Sequence, residues 1–341
     1  RLTMEDGRLT GAGDVFVSDR LEVGAGARLA GPGRLVLEEG AEALFGTALA
    51  PDAPPSSASI ALARDLRIEG EALFQQVRAE VSGAVYDPAL SGPGFSGGAI
   101  EIAPSGVVVL DGPGIALHND GPAGLSPLRN DGVLRRTGDG LAEIGLDYAG
   151  AGALDLSVGD LAWVGGADLA ISDLAGQTAL HLDGARLHLD QDAALEALTL
   201  LSGRVFGDGD LTVTDELRFQ NGAMQGEGDL ILPEGAEALF GEGLDGRPLL
   251  GEEPGDVIFI RAPTLARDTA ISGAATVERG RLSLFEAGFD PDAGATVERG
   301  ATLTILPGGV LELSGPDAES DGRDGLSAIV NQGLLSKTGP G

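Results

Sequence analysis

Only three imidazoles are present, His118, His181 and His188, and the last two fall in a near-repeat, HLDGARLHLD, from His181 to Asp190. Strand alternation turns His181 and Asp183 to one face with Leu182 on the other, and does the same for His188 and Asp190 around Leu189. Imidazole beside carboxylate is a donor set for a divalent metal. The two copies are expected on different strands of one turn, pointing apart, as polar outer faces over core leucines. Carboxylates are the larger resource. Asp208 and Asp210 in GDGD, Asp290 and Asp292 in FDPDAG, and Asp317, Glu319, Asp321 and Asp324 in DAESDGRDG supply turn oxygens of the kind that bind Ca²⁺. Neither a tandem GGxGxD nonapeptide nor EF-hand spacing occurs, so solvated turns are the default, and the last four acids are the calcium candidates. No other cofactor is implied.

Catalysis would need carboxylates that converge in space, and no GxSxG elbow, HExxH or Walker loop is present. A catalytic constellation is normally unique, whereas most acids here sit in segments that recur with varied residues, as Asp14 beside Asp210. Trp163, Tyr86 and Tyr148 are candidate sugar-stacking platforms, with core or edge packing the plainer reading. The chain is therefore expected not to be an enzyme, a polysaccharide lyase or hydrolase being the alternative.

The elements that must position these residues are short. From Leu2 the apolar residues come in alternating bursts of three to five, each closed by Gly, Asp or Pro, as at Asp6-Gly7 and Gly31-Pro32-Gly33. No helical stripe persists, and Asp192 to Leu198 is the best candidate for one or two helical turns. The hexapeptide ATVERG occupies Ala275 to Gly280 and again Ala295 to Gly300. That displacement of about twenty residues predicts a turn of roughly three strands, with Ala275 and Ala295 one above the other. The fold class is all-β, a right-handed parallel β-helix; about seventeen turns ~4.8 Å apart make a rod of roughly 80 Å.

A longer period is also present. EGAEALFG at Glu39 to Gly46 returns unchanged at Glu234 to Gly241. Gly7 to Asp19 matches Gly203 to Asp215, Leu62 to Asp65 matches Leu265 to Asp268, Tyr86-Asp87-Pro88 matches Phe289-Asp290-Pro291, and Gly124 to Gly140 matches Gly325 to Gly341. Residues 1–196 form one repeat unit and 197–341 most of a second, expected to stack as one continuous solenoid. Length changes fall in loops such as Thr47 to Ser59 and Gly246 to Asp256.

The formal net charge of −31 repels phosphate backbones and anionic headgroups, which argues against nucleic acid and membrane-surface partners. Cysteine is absent, so there is no disulfide framework or thiolate metal site, and no apolar run reaches a membrane span. Starting at Arg1 without a charged-then-apolar leader, the chain is read as a segment of something longer.

GxGDLxV at Gly207 to Val213, EGAxAL in both octapeptides and NxGxLxKTG at Asn331 to Gly339 resemble repeats of very large bacterial secreted or surface proteins of adhesin and autotransporter-passenger type. The resemblance implies an extracellular or cell-surface stalk, fibre or adhesive scaffold, and it carries over no functional residue. Partners expected on this basis are further repeats or other copies end to end, since bare edges at Arg1 and Gly341 invite pairing. Surface glycans or calcium gripped by the insertion loops are the alternative.

Overall fold

The computed structural model describes residues 1–46, 59–87, 92–119, 127–138, 140–155, 160–165, 167–174, 177–241, 263–278, 282–290, 295–314 and 327–338. Two compact units divide the chain, Arg1–Gly176 and Gln177–Gly341. Both are built from short parallel strands stacked turn on turn, the architecture of a parallel β-solenoid.

In the first unit each turn carries three strands, one on each of three faces. The first face stacks Leu2–Met4, Arg20–Val23, Glu42–Gly46, Glu71–Gln75, Val107–Asp111, Val133–Arg136 and Ala153–Asp155 in that order. The second face begins at Gly7–Leu9 and Ala27–Ala30, and the third at Val15–Val17 and Leu35–Leu37. Leu2 lies against Leu21, Leu21 against Ala43, Ala43 against Ala72, and Ala72 against Val108. Register is strict because a slip of one residue would turn every inward side chain to solvent.

Alternation explains the repeated octapeptide. In EGAEALFG, Ala41, Ala43 and Phe45 are buried while Glu42 and Leu44 face outward, and Ala236, Ala238 and Phe240 repeat the inward set. Phe45 stacks on Phe74 with ring centroids 4.6 Å apart and planes 10° from parallel. In the second unit Phe240 meets Phe219 edge-on at 6.2 Å and 63°. The closing glycine has a left-handed backbone in both copies, φ 113° at Gly46 and 97° at Gly241, so no L side chain fits there without strain.

The second unit bends some strands through corners instead of breaking them. Ala193–Gly207 is one such strand, and it overturns the helical expectation for Asp192 to Leu198. Its pairing with Leu211–Phe219 shifts register between Leu195 and Ala197, a bulge that lets Leu195 and Leu198, three residues apart, both face inward. A three-residue apolar spacing therefore arises here on a strand. Among the described residues the only helical element is the 3₁₀ turn Ile171–Leu174.

ATVERG does not mark the turn register. Ala275 lies between Ala238 and Leu311, whereas Ala295 belongs to an antiparallel hairpin, Phe285–Asp290 with Ala295–Gly300, and faces Asp290. The hairpin is inserted into the turn, so the next strand on the same face comes only at Val310–Leu313. The first unit carries a hairpin at the matching place, Ser82–Asp87 with Gly92–Gly97. A period near twenty is nevertheless correct where nothing is inserted, as in the pairing of Leu134 with Leu154 and of Ala179 with Ala197.

Truncating Phe74 to Ala removes a fully buried ring that is stacked between Phe45 and Leu110. The expected cost is about 3–5 kcal/mol, read as a lower midpoint in urea unfolding with unchanged slope.

Candidate functional site

The sequence-derived candidates separate cleanly in space. Trp163 and Tyr148 are 1% and 3% exposed and meet edge-on with centroids 5.0 Å apart, so both are core. The Tyr148 hydroxyl accepts a hydrogen bond from buried Asn130 Nδ2 at 3.0 Å, and burial pushes its pKa above the usual phenol range. Tyr86 lies on the first hairpin, whose side chains are not described. His181 and His188 share one strand, Ala179–Leu189, and fall on either side of a register irregularity between Leu182 and Ala185. His188 faces outward and stacks on Phe206 at 5.1 Å, and His118 contacts Glu143 at 3.2 Å. Asp317, Glu319, Asp321 and Asp324 lie outside the described residues, as do the loops 47–58 and 246–256. Among the described residues no three His, Asp or Glu side chains converge as a metal centre.

What the structure does bring together is a corner that recurs in both units. In the first unit the turn Gly11 to Asp14 lies under Gly31 to Arg34, with Arg64-Asp65 next in the stack. Buried Arg64, 3% exposed, reaches back across the glycine turns to donate from Nη2 to the carbonyls of Gly11 and Gly13. In the second unit Arg267, 1% exposed, donates from Nη2 to Gly207 O at 3.1 Å and Gly209 O at 3.0 Å. Nε and Nη1 of both arginines are buried without a protein hydrogen-bond partner. Segments matched at different sequence offsets thus meet at one corner, in duplicate. Sequence reading used them as repeat landmarks; the signal for the contact was an Arg inside an otherwise aliphatic burst.

The turn glycines make room for that reach. A Cβ on Gly31 would lie 2.4 Å from Gly11 O, and one on Gly209 would lie 2.1 Å from Gln191 O. Aspartates complete the corner by accepting backbone N–H groups from the next turn. Asp14 Oδ1 accepts from Arg34 N at 2.8 Å, Asp65 from Ala99 N at 3.1 Å, and Asp268 from Thr302 N at 2.7 Å. Between Asp192 and Asp229 the pattern is continuous: Asp192 accepts from Asp210 N at 3.0 Å, and Asp210 from Asp229 N at 2.8 Å.

One carboxylate of the stack, Asp229, is perturbed by its surroundings. Partial burial, then the charges of Asp210 and Asp268, push the Asp229 carboxyl above its ordinary range, with Arg267 pulling it back. Burial in turn lowers Arg267, against the pull of Asp210, Asp229 and Asp208. Chemically the corner is a structural device, since its acids are hydrogen-bond acceptors and its guanidinium is sealed from solvent. No protein-family model, curated protein or solved structure matches the chain.

Two expectations follow from the corner. Gly209→Ala should destabilise the protein by about 1–3 kcal/mol through forced backbone movement, while Gly13→Ala, its repeat counterpart with open space around the added Cβ, should be neutral or slightly stabilising; thermal melts of the two variants decide. For Asp229, a folded pKa above the unfolded value means that folding favours the protonated form. Its contribution is favourable below the unfolded carboxyl pKa and is lost as pH rises through the folded one. Asp229→Asn should therefore melt higher than the parent at pH 7, and the gap should close as the pH falls to about 4.

Proposed function

We propose that this chain is a non-catalytic structural solenoid, a segment of a bacterial extracellular stalk, fibre or adhesin that extends by stacking turn on turn. The observation carrying this reading is the contrast between two repeat-equivalent turns. In the first unit Pro127–Asn130 and Val133–Arg136 lie beneath Asp147–Ala149 and Ala153–Asp155, and Leu128 and Leu134 are 0% exposed. Their counterparts in the second unit, Ala328–Asn331 and Leu334–Lys337, leave Ile329, which answers Leu128, 47% exposed and Leu335, which answers Leu134, 40% exposed.

A turn with open edges and an apolar rim is complementary to another turn of the same kind, carried by more of the same chain or by another copy. Asn130 shows how such a joint is locked: its Oδ1 accepts from Gly132 N, and its Nδ2 reaches up to Tyr148 OH and Ala153 O in the next turn. Asn331 has the same internal bond, from Gly333 N at 3.1 Å. The acids of the corners support a structural role, being engaged by backbone donors. The surface setting rests on the resemblance of the repeats to those of adhesins and autotransporter passengers.

Sedimentation of the 341-residue chain should show concentration-dependent association that Leu335→Asp with Ile329→Asp abolishes. A monodisperse monomer at all concentrations would refute stacking between copies.

A further inference from the structure

On the outward side of its strands the first face of the first unit carries a more apolar column than its repeat counterpart, half-buried at Leu44 and Leu73 and covered at Val109. Glu22, Leu44, Leu73, Val109 and Arg135 follow one another in register up that face. The equivalent column in the second unit runs Arg218, Leu239, Thr276, Glu312 and Ser336. Inward positions beside them stay apolar, with Ala43, Ala72 and Val108 answered by Ala238, Ala275 and Leu311. Core packing is thus shared, while the outer strip is Leu-Leu-Val in one unit and Leu-Thr-Glu in the other.

Leu44 and Leu73 floor a shallow groove of about 240 Å³, walled by Glu42 and Glu71 on one side and Gln75 on the other. Glu42 and Glu71 are exposed, lie opposite each other in register and have no cationic partner among the described residues. Arg20, at the groove's end and opposite Glu42 in register, is committed to Glu22 at 2.8 Å. Two like charges stacked on adjacent strands are unfavourable without a counter-charge. The second unit has Ala274 where Glu71 stands, and its own stacked pair, Glu216 with Glu237, has Glu216 held by Arg218 at 2.6 Å.

We propose that this groove docks an extended peptide segment bearing lysine, from a partner protein. A lysine side chain matches both parts of the site: its four-carbon stem covers the leucine floor while its ammonium lies between the two carboxylates. The second unit also supplies a substitution pair that the fold already tolerates. Glu71→Ala with Leu73→Thr reproduces Ala274 and Thr276 at their own places in the turn.

The test is fluorescence anisotropy of labelled hexapeptides alternating Leu with Lys, or Leu with Glu, at about 0.15 M salt. The Lys peptide should bind the parent chain saturably, the Glu peptide should not, and the double variant should bind the Lys peptide at least tenfold more weakly with an unchanged melting temperature. If the parent fails to bind the Lys peptide, binds both peptides alike, or is matched by the double variant, the proposal is wrong. Should the double variant melt lower, Glu71→Gln, which keeps the side-chain shape, replaces it and must show the same weakening. Free spermidine that competes at equal charge concentration would assign the groove to small polyamines and overturn the peptide assignment.

Discussion

The carbonyl oxygen of one turn occupies the space into which a side chain on the turn above would project, and this fixes much of what the chain can be. Strands one hydrogen bond apart are separated by about 4.8 Å, so corners that stack directly bring backbone against backbone. A Cβ at Gly33 would lie 2.3 Å from Gly13 O, closer than any real contact. Glycine is demanded there by proximity, not by turn conformation alone. The room gained is then filled from another turn, since Arg64 and Arg267 lay their side chains over the glycine corners and donate to their carbonyls.

That constraint acts on register and leaves length free. Leu2 and Leu21 are consecutive on one face, and so are Ala72 and Val108, although the second pair encloses a hairpin and the first a plain turn. Closing a longer excursion costs little extra because loop entropy grows only with the logarithm of length. Both units use this freedom in the same place, adding an antiparallel hairpin before resuming the coil. What the solenoid cannot do is shift a strand by one residue, because Phe45 and Phe74 would then leave the core together.

The architecture was legible in the sequence because the inward pattern repeats on every turn. Ala-x-Phe in both octapeptides, bounded by glycines, reads as a strand between turns and is one. Three features were misread, each because local pattern is blind to its surroundings. His181 and His188, expected on different strands, share Ala179–Leu189, which passes through a register irregularity without breaking. ATVERG has identical residues in a solenoid strand and in a hairpin arm, and only the partners, Ala238 and Leu311 against Asp290, distinguish them. Leu195 and Leu198 carry a helical spacing that a bulge converts into two inward strand positions. The corner was unreadable for a further reason: Arg64 and Gly11 are separated by 53 residues, and no linear motif links a cation to carbonyls it meets two turns below.

Position in the turn also divides the labour among 53 acidic residues that look alike in the sequence. At the corners a carboxylate is within reach of the next turn's N–H, so Asp14, Asp65, Asp192, Asp210 and Asp268 act as acceptors and hold turns in register. On a flat face the backbone N–H groups are already spent in the sheet, so a carboxylate such as Glu42 or Glu71 can only meet solvent, a neighbouring side chain or a partner. Divergence between the units follows the same division. Residues that pack against a neighbouring turn are held by volume and hydrogen bonds, and Gly33 and Gly228 or Arg64 and Arg267 recur. Side chains on the outward side of the strands are less constrained, and there half-buried Leu73 stands against Thr276 and Val109, 8% exposed, against Glu312. A binding role specific to one unit therefore has to be sought on the outer faces, where the fold places no demand on side-chain identity.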